Sequence, residues 1–156
     1  MQTIIGLGAA GCNIADKFSS YPQYTVYKMD NGLKRTPTTY GVKQCKTPEE
    51  YEESIGSLKR FFKNLSGDVL FIVSASGLIS GASLSILQHI KHCNLHLMCV
   101  YSDADLLGEV GKMQQRLTSN VFQEYARSGV FERTLLIDNV FLEKVIGDVP
   151  VIGFYD

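Results

Sequence analysis

Apolar residues recur along this chain in two alternating rhythms. Residues 3–7, 68–74 (DVLFIVS) and 95–101 are short, nearly continuous apolar runs, the pattern of strands covered on both faces. Residues 24–29 form a β-rich run that closes on Asp30-Asn31-Gly32, a strong turn signal. Between these runs, residues 10–19, 80–91 and 106–126 carry apolar positions at helical spacing. Thr47-Pro48-Glu49-Glu50 marks another helix start, with Thr as N-cap, Pro at the first helical position and acids at the positive dipole end. That helix is predicted to run to Asn64 and to stop before Ser66-Gly67. Residues 133–137 read as a last strand, and the polar, turn-rich stretch 31–46 is assigned no regular element. Strands separated by helices predict an α/β fold. The form expected is a three-layer, Rossmann-like, mainly parallel sheet with right-handed crossovers and helices on both faces, in one domain over residues 1–156.

Composition removes several classes. With 45% hydrophobic and 20% charged residues in 156, the chain has enough apolar content for one buried core. The net charge is −1 and the Lys and Arg residues are scattered along the sequence without a basic stripe, so neither nucleic acid nor a membrane surface is an expected partner. No run of about 18 apolar residues is present to span a bilayer. The opening residues Met1-Gln2-Thr3-Ile4-Ile5 have no basic n-region and lead straight into a strand. Cys12, Cys45, Cys93 and Cys99 lack the spacing of a disulfide framework and are expected as reduced thiols in a cytoplasmic setting.

The most informative segment is Gly6-Leu7-Gly8-Ala9-Ala10-Gly11, three glycines in GxGxxG spacing after a predicted strand and at the start of a helix. The glycines allow a tight turn, a close backbone approach to phosphate and close helix packing, and the helix N-terminus attracts an anion. Two ligand classes fit. A dinucleotide-binding domain of an NAD(P)-dependent oxidoreductase would hydrogen-bond ribose with Asp30, 19 residues after Gly11. A guanine-nucleotide domain uses a similar first loop.

Later segments favour the second class. GLGAAGCN (Gly6 to Asn13) resembles the opening loop of the tubulin/FtsZ family, and Met29-Asp30-Asn31-Gly32 resembles that family's loop after the second strand. Ala75-Ser76-Gly77-Leu78-Ile79-Ser80-Gly81 stands where the family has GGGTGSG or GGGTGTG. VYSDADLLG, from Val100, aligns with the family's V-T-x-P-F-x-F-E-G, and Thr134-Leu135-Leu136-Ile137-Asp138-Asn139 resembles T-L-I-x-I-P-N, whose Asn recognises guanine. Pro150 and Phe154 fall near a Pro and a Phe that precede the family's long central helix. The resemblance covers nearly the whole chain in order. It implies a nucleotide site in which Gly8, Ala9, Ala10, Gly11 and Cys12 hold the α- and β-phosphates, and Gly77, Leu78, Ile79, Ser80 and Gly81 meet the terminal phosphates. Asp30 lies nearby, and Asn13 and Asn139 face the base. The cofactor implied is GTP or GDP with Mg²⁺, and the partner implied is another copy of the chain in a head-to-tail oligomer or filament.

The departures from the family pattern bear on turnover. Leu78 replaces the signature threonine, Ile79 replaces a glycine, and Leu107 stands where the family has a ribose-binding Glu, with Lys112 nearest to its downstream Arg. The sequence ends at Asp156, where the central helix would begin, and holds no counterpart of the acidic loop that completes hydrolysis on a neighbouring subunit. Binding without hydrolysis by this chain alone is therefore the expectation, and no catalytic residue is assigned. A scaffold that keeps the fold without a ligand is the alternative that the altered signature raises.

Other constellations carry less. His89, His92 and Cys93 share helical spacing, with His96 beyond, but a polar helix end explains them without a metal. Cys12 at a helix N-terminus could form a thiolate, yet no His can be put beside it. Ser76-Gly77 lacks the G-x-S-x-G elbow of a hydrolase.

Overall fold

The computed structural model describes residues 2–147, so Pro150 and Phe154 lie outside the described residues. In chain order the elements are β1 (Gln2–Leu7), α1 (Gly8–Phe18), β2 (Tyr24–Asn31), β3 (Thr39–Val42), α2 (Pro48–Ser54), β4 (Asp68–Ser74), α3 (Ser83–Ile90), β5 (Asn94–Tyr101), α4 (Glu109–Arg127), β6 (Phe131–Asp138) and α5 (Asn139–Ile146). The six strands form one sheet in the order β3-β2-β1-β4-β5-β6, and every neighbouring pair is parallel. This is the predicted α/β architecture. Because all strands point the same way, every strand-to-helix loop leaves the same carboxyl edge of the sheet.

The strand period of two divides the core. Ile5 and Leu7, then Val69, Phe71 and Val73, then Leu95, Leu97 and Cys99 face α2, α3 and α4. Ile4, Leu70, Ile72 and Met98 face the other side, where Ala15 and Phe18 of α1 cover them. Both flanks of β1 and β4 are thus apolar, as the continuous runs required. Leu135 on β6, beyond the reach of α1, is 48% exposed.

The contact that fixes α1 needs glycine on both sides. A Cβ on Gly11 would fall on the Ile72 carbonyl oxygen, and one on Gly6 would fall on the Gly11 carbonyl oxygen. Thr47 caps α2 by accepting the Glu50 amide at 3.2 Å, and Glu50 reaches back to the Lys46 amide at 2.9 Å.

Several boundaries differ from expectation. The helix expected to reach Asn64 stops at Ser54, and Ile55 is extended before Gly56. Beyond it, an irregular turn buries Leu58, Phe61, Phe62 and Leu65, with Phe61 edge-on to Tyr27 at 5.3 Å and Tyr40 at 5.5 Å. A helix continued past Ser54 would not lay Phe61 on Tyr27 of β2 and Tyr40 of β3. The helix expected from residue 80 is a 3-10 turn, Leu78–Ala82, followed by α3. α1 begins two residues before the expected Ala10, and α4 begins at Glu109 after a short 3-10 turn, Ala104–Leu106. β3 and α5, which the sequence left unassigned, are both formed; α5 is capped by Asp138, which accepts the Val140 amide at 2.9 Å.

Three of the cysteines, Cys12, Cys93 and Cys99, are buried. Burial pushes the thiols of Cys12 and Cys99 from the ordinary 9.0 up to about 12, and for Cys12 the Asp30 carboxylate adds to the effect. The thiolate that the sequence already disfavoured at Cys12 gains no support, because desolvation raises its pKa despite the helix N-terminus.

Two outcomes follow from this packing. Gly11→Ala should destabilise the fold by about 2–4 kcal/mol in urea denaturation, because its clash is with backbone that cannot move away. At pH 8, iodoacetamide should modify the half-buried Cys45 of the folded chain while sparing Cys12 and Cys99, as mass spectrometry of the digest would reveal. Since folding holds these two protons above pH 9, where the unfolded thiols release them, stability should fall as pH rises from 9.0 toward about 12.

Candidate functional site

The candidate site lies at the carboxyl edge between β1 and β4. From β1 the chain crosses to β2 on one side, while β4 leads to β5 on the other, so the two loops diverge and open a crevice. Such a switch point is where parallel α/β sheets bind ligands.

One wall is the glycine loop. Gly8 sits at φ +76°, a backbone conformation that L side chains rarely adopt. The preceding Leu7 cannot cap α1, no acid occupies its first turn, and Ala9 is exposed with Ala10 half-buried. The first-turn amides of α1 therefore have no intrahelical acceptor and no side-chain cap. Gly11 and Cys12 are buried beneath them, and Asn13 is exposed on the first turns of α1. The Cys12 thiol donates toward the carbonyls of Gly6 (3.4 Å) and Met29 (3.6 Å), tying α1 to the ends of β1 and β2.

The loop after β2 is held just as firmly. Asp30 accepts the amide of Asn31 at 2.8 Å. Asn31 donates its side-chain amide to the Val42 carbonyl at 3.0 Å and accepts the Tyr51 hydroxyl at 3.0 Å. The end of β2 is thereby joined to β3 and to α2.

The second wall, Ala75 to Gly81, is anchored to α4. Ser74, Ser76 and Ser102 hydroxyls form a chain at 3.3 and 3.1 Å, and Ser102 exchanges two hydrogen bonds with the Gln115 side chain (2.9 and 3.1 Å). The Ser80 hydroxyl donates to the Gly77 carbonyl at 2.6 Å, and it accepts from Gln114 Nε2 at 2.8 Å. Thr118 completes this buried cluster at 3.0 Å from Ser80. Gly81 is glycine for a packing reason, since a Cβ there would meet the Pro48 backbone. Gln114, Gln115 and Thr118 were not singled out from the sequence. Their signal is three polar side chains on the otherwise apolar face of an amphipathic helix.

Leu78 and Ile79 are half-buried, and the position of Ile79 is consequential. Its Cγ2 lies 2.8 Å from where a Cβ on Gly8 would be. The space that the missing Gly8 side chain leaves open is thus covered by a side chain from the second loop.

Asn139, the first residue of α5, is 8% exposed at the end of β6. β6 is three strands from β1, which sets Asn139 about 14 Å across the sheet from the glycine loop. The fold thus brings Gly8 to Asn13, Asp30, Gly77 to Gly81 and Asn139 to one edge. The histidines do not gather. His89 engages the Ser85 carbonyl at 2.7 Å, His92 the Leu65 carbonyl at 3.0 Å and His96 the Asp68 carboxylate at 3.4 Å, while Cys93 is buried. Among the described residues, no three His, Cys, Asp or Glu side chains are placed to hold a metal ion, and no helix is long and apolar enough to cross a membrane.

No family model and no curated protein matches this sequence. Solved structures do. An empty FtsZ dimer from M. jannaschii superposes with a TM-score of 0.76 at 12% identity, covering 99% of this chain and 49% of that one. A tryptophan-to-tyrosine FtsZ mutant from the same organism gives 0.76 at 11% identity, covering 99% and 51%. The chain therefore has the FtsZ-like fold, and it spans about half the length of the FtsZ chains it matches.

Proposed function

We propose that this chain binds a guanine nucleotide at the carboxyl edge of the sheet and works in head-to-tail self-assembly, without hydrolysing the nucleotide by itself. The observation that carries the proposal is the uncapped N-terminus of α1 opening directly from Gly8 at the β1/β4 switch point. The first-turn amides, from Gly8 to Cys12, hold the α- and β-phosphates of GTP or GDP. Mg²⁺ accompanies the nucleotide through phosphate oxygens and water. The 77–81 turn meets the terminal phosphate, and Asn13 and Asn139 read the base. A head-to-tail contact is heterologous and extends into an open filament, which suits a cytoskeletal role in the cytoplasm.

One observation favours a second reading, a scaffold that has kept the fold and lost the ligand. Ile79 covers Gly8, and Ser80 spends its hydroxyl on Gly77 and α4. A phosphate entering the cradle must displace the Ile79 side chain. Binding weaker than in a glycine-lined pocket is the consequence.

Calorimetric titration of the purified chain with GTP, ATP and NAD separates the readings. GTP should bind best, and Asn139→Ala should weaken it about tenfold or more, the loss of one good hydrogen-bonding group. NAD preference would overturn the guanine assignment, and absence of binding at millimolar nucleotide would establish the scaffold. Ile79→Gly should tighten GTP about tenfold by clearing the cradle, at some cost in melting temperature. Unchanged affinity in that variant would show that Ile79 does not gate the site.

A further inference from the structure

Away from the glycine loop, the fold assembles a cationic cleft from two separate stretches of sequence. Residues 31–47 hold Lys34, Arg35, Lys43 and Lys46, residues 55–67 hold Lys59, Arg60 and Lys63, and neither stretch contains an Asp or Glu. The irregular turn after α2 carries the second stretch back against the β2–β3 connection. Between them lies a cleft of about 660 Å³ with Arg35, Arg60 and Lys63 on its walls and no carboxylate among its lining residues. None of the three is ion-paired to a carboxylate among the described residues. No glutamate of α2 lines the cleft, and two of them, Glu49 and Glu52, face a different groove beside Leu84 and Val121.

The cleft is built rather than incidental. Its floor is Tyr27 against Phe61 at 5.3 Å, and Phe61 is 7% exposed, which fixes the backbone that carries Arg60 and Lys63. The Arg35 guanidinium lies 4.8 Å over the Tyr40 ring. The wall between them is held by Thr36, whose hydroxyl accepts the Thr39 amide at 3.0 Å, and by Thr39, whose hydroxyl donates to the Lys34 carbonyl at 2.6 Å. The Lys28 amide bonds the Thr38 carbonyl at 2.9 Å and anchors the loop to β2. The cationic ends are therefore presented on a preformed frame, which reduces the entropy a ligand must overcome.

We propose that this cleft is a second anion site, separate from the glycine loop, that takes a ligand bearing two or more phosphate groups. Three cations on the walls of one cleft exceed what one carboxylate needs. Two of them are guanidiniums, whose planar fork matches tetrahedral oxyanions. The site opens at the amino end of β3, whereas the glycine loop leaves the carboxyl end of β1, and the two share no residue.

Titration calorimetry with inorganic tripolyphosphate, on the intact chain at low and physiological salt, tests this. Saturable binding that weakens with salt is expected. Arg35→Ala and Arg60→Ala should each reduce affinity about tenfold, the loss of a charge-assisted hydrogen bond. The triple variant with Lys63→Ala should lose one equivalent of bound tripolyphosphate, with its melting temperature and its GTP titration unchanged. All three side chains belong to exposed residues, so the variants should fold. The proposal is overturned if the intact chain shows no saturable binding or if the triple variant binds like the parent. A hexaglutamate peptide that binds as tightly as tripolyphosphate would overturn it too, by making the cleft a dock for an acidic segment.

Discussion

The near-contact of α1 with β1 and β4 is the constraint on which the rest of the molecule depends. Gly6 and Gly11 bring the helix so close to the strands that the Ile72 carbonyl occupies the space of a Gly11 side chain. This closeness lets Ala15 and Phe18 seal one face over Ile4 and Ile72. It also aims the start of α1 at the switch point, because a helix packed further out would begin further from the strand end. Packing alone requires these two glycines, whether or not a ligand approaches them. Their presence alone therefore does not distinguish a working phosphate loop from a retained fold, and Gly8 is more informative. Its positive φ turns the chain from strand to helix, and the space beside it is where a phosphate would enter.

What happens beside Gly8 is decided by the second loop, which is the least independent part of the molecule. Its Ser80 is bonded to Gln114 and Thr118 of α4, its Ser76 reaches Gln115 through Ser102, and Gly81 rests on the start of α2. Ile79 cannot shift alone without disturbing a turn pinned at both ends, although its side chain can rotate. For the anion proposed to enter the crevice, affinity would be set by a balance. On one side stand the unsatisfied amides of α1; on the other, the apolar contact that Ile79 gives up when a ligand enters. A signature with glycine at this position would have nothing to give up.

The parts of this arrangement that were legible in the sequence are those governed by local pattern. β1, β4 and β5 are continuous apolar runs, Thr47-Pro48 starts a helix by its own chemistry, and the glycine spacing announces the first loop. What escaped is set by contacts distant in sequence. β3 is four residues long and exists because Thr39 to Val42 pair with the end of β2. The break after Ser54 follows from the need to lay Phe61 on Tyr27 and Tyr40, which no helical period reveals. The covering of Gly8 by Ile79 joins positions 71 residues apart, so the sequence showed only that a glycine was missing, not that its replacement would fill the cradle.

Charge shows the same limit. A net charge of −1 with scattered Lys and Arg suggests no anionic partner, and that inference treats the chain as well mixed. Folding unmixes it. The glutamates of α2 sit between two acid-free stretches in sequence, yet the turn after Ser54 carries Arg60 and Lys63 to Arg35 on one side and leaves Glu49 and Glu52 on another. At physiological salt the screening length is about 8 Å, so groups on different faces are felt separately by any ligand at the surface. The potential that a bound anion would meet is therefore that of the three cations around it, and the total charge of the chain has little bearing on it. The aromatic packing that ended α2 early is also what gathers those cations. A feature that looks like an irregularity of secondary structure is thus the means by which a nearly neutral sequence presents a concentrated positive site.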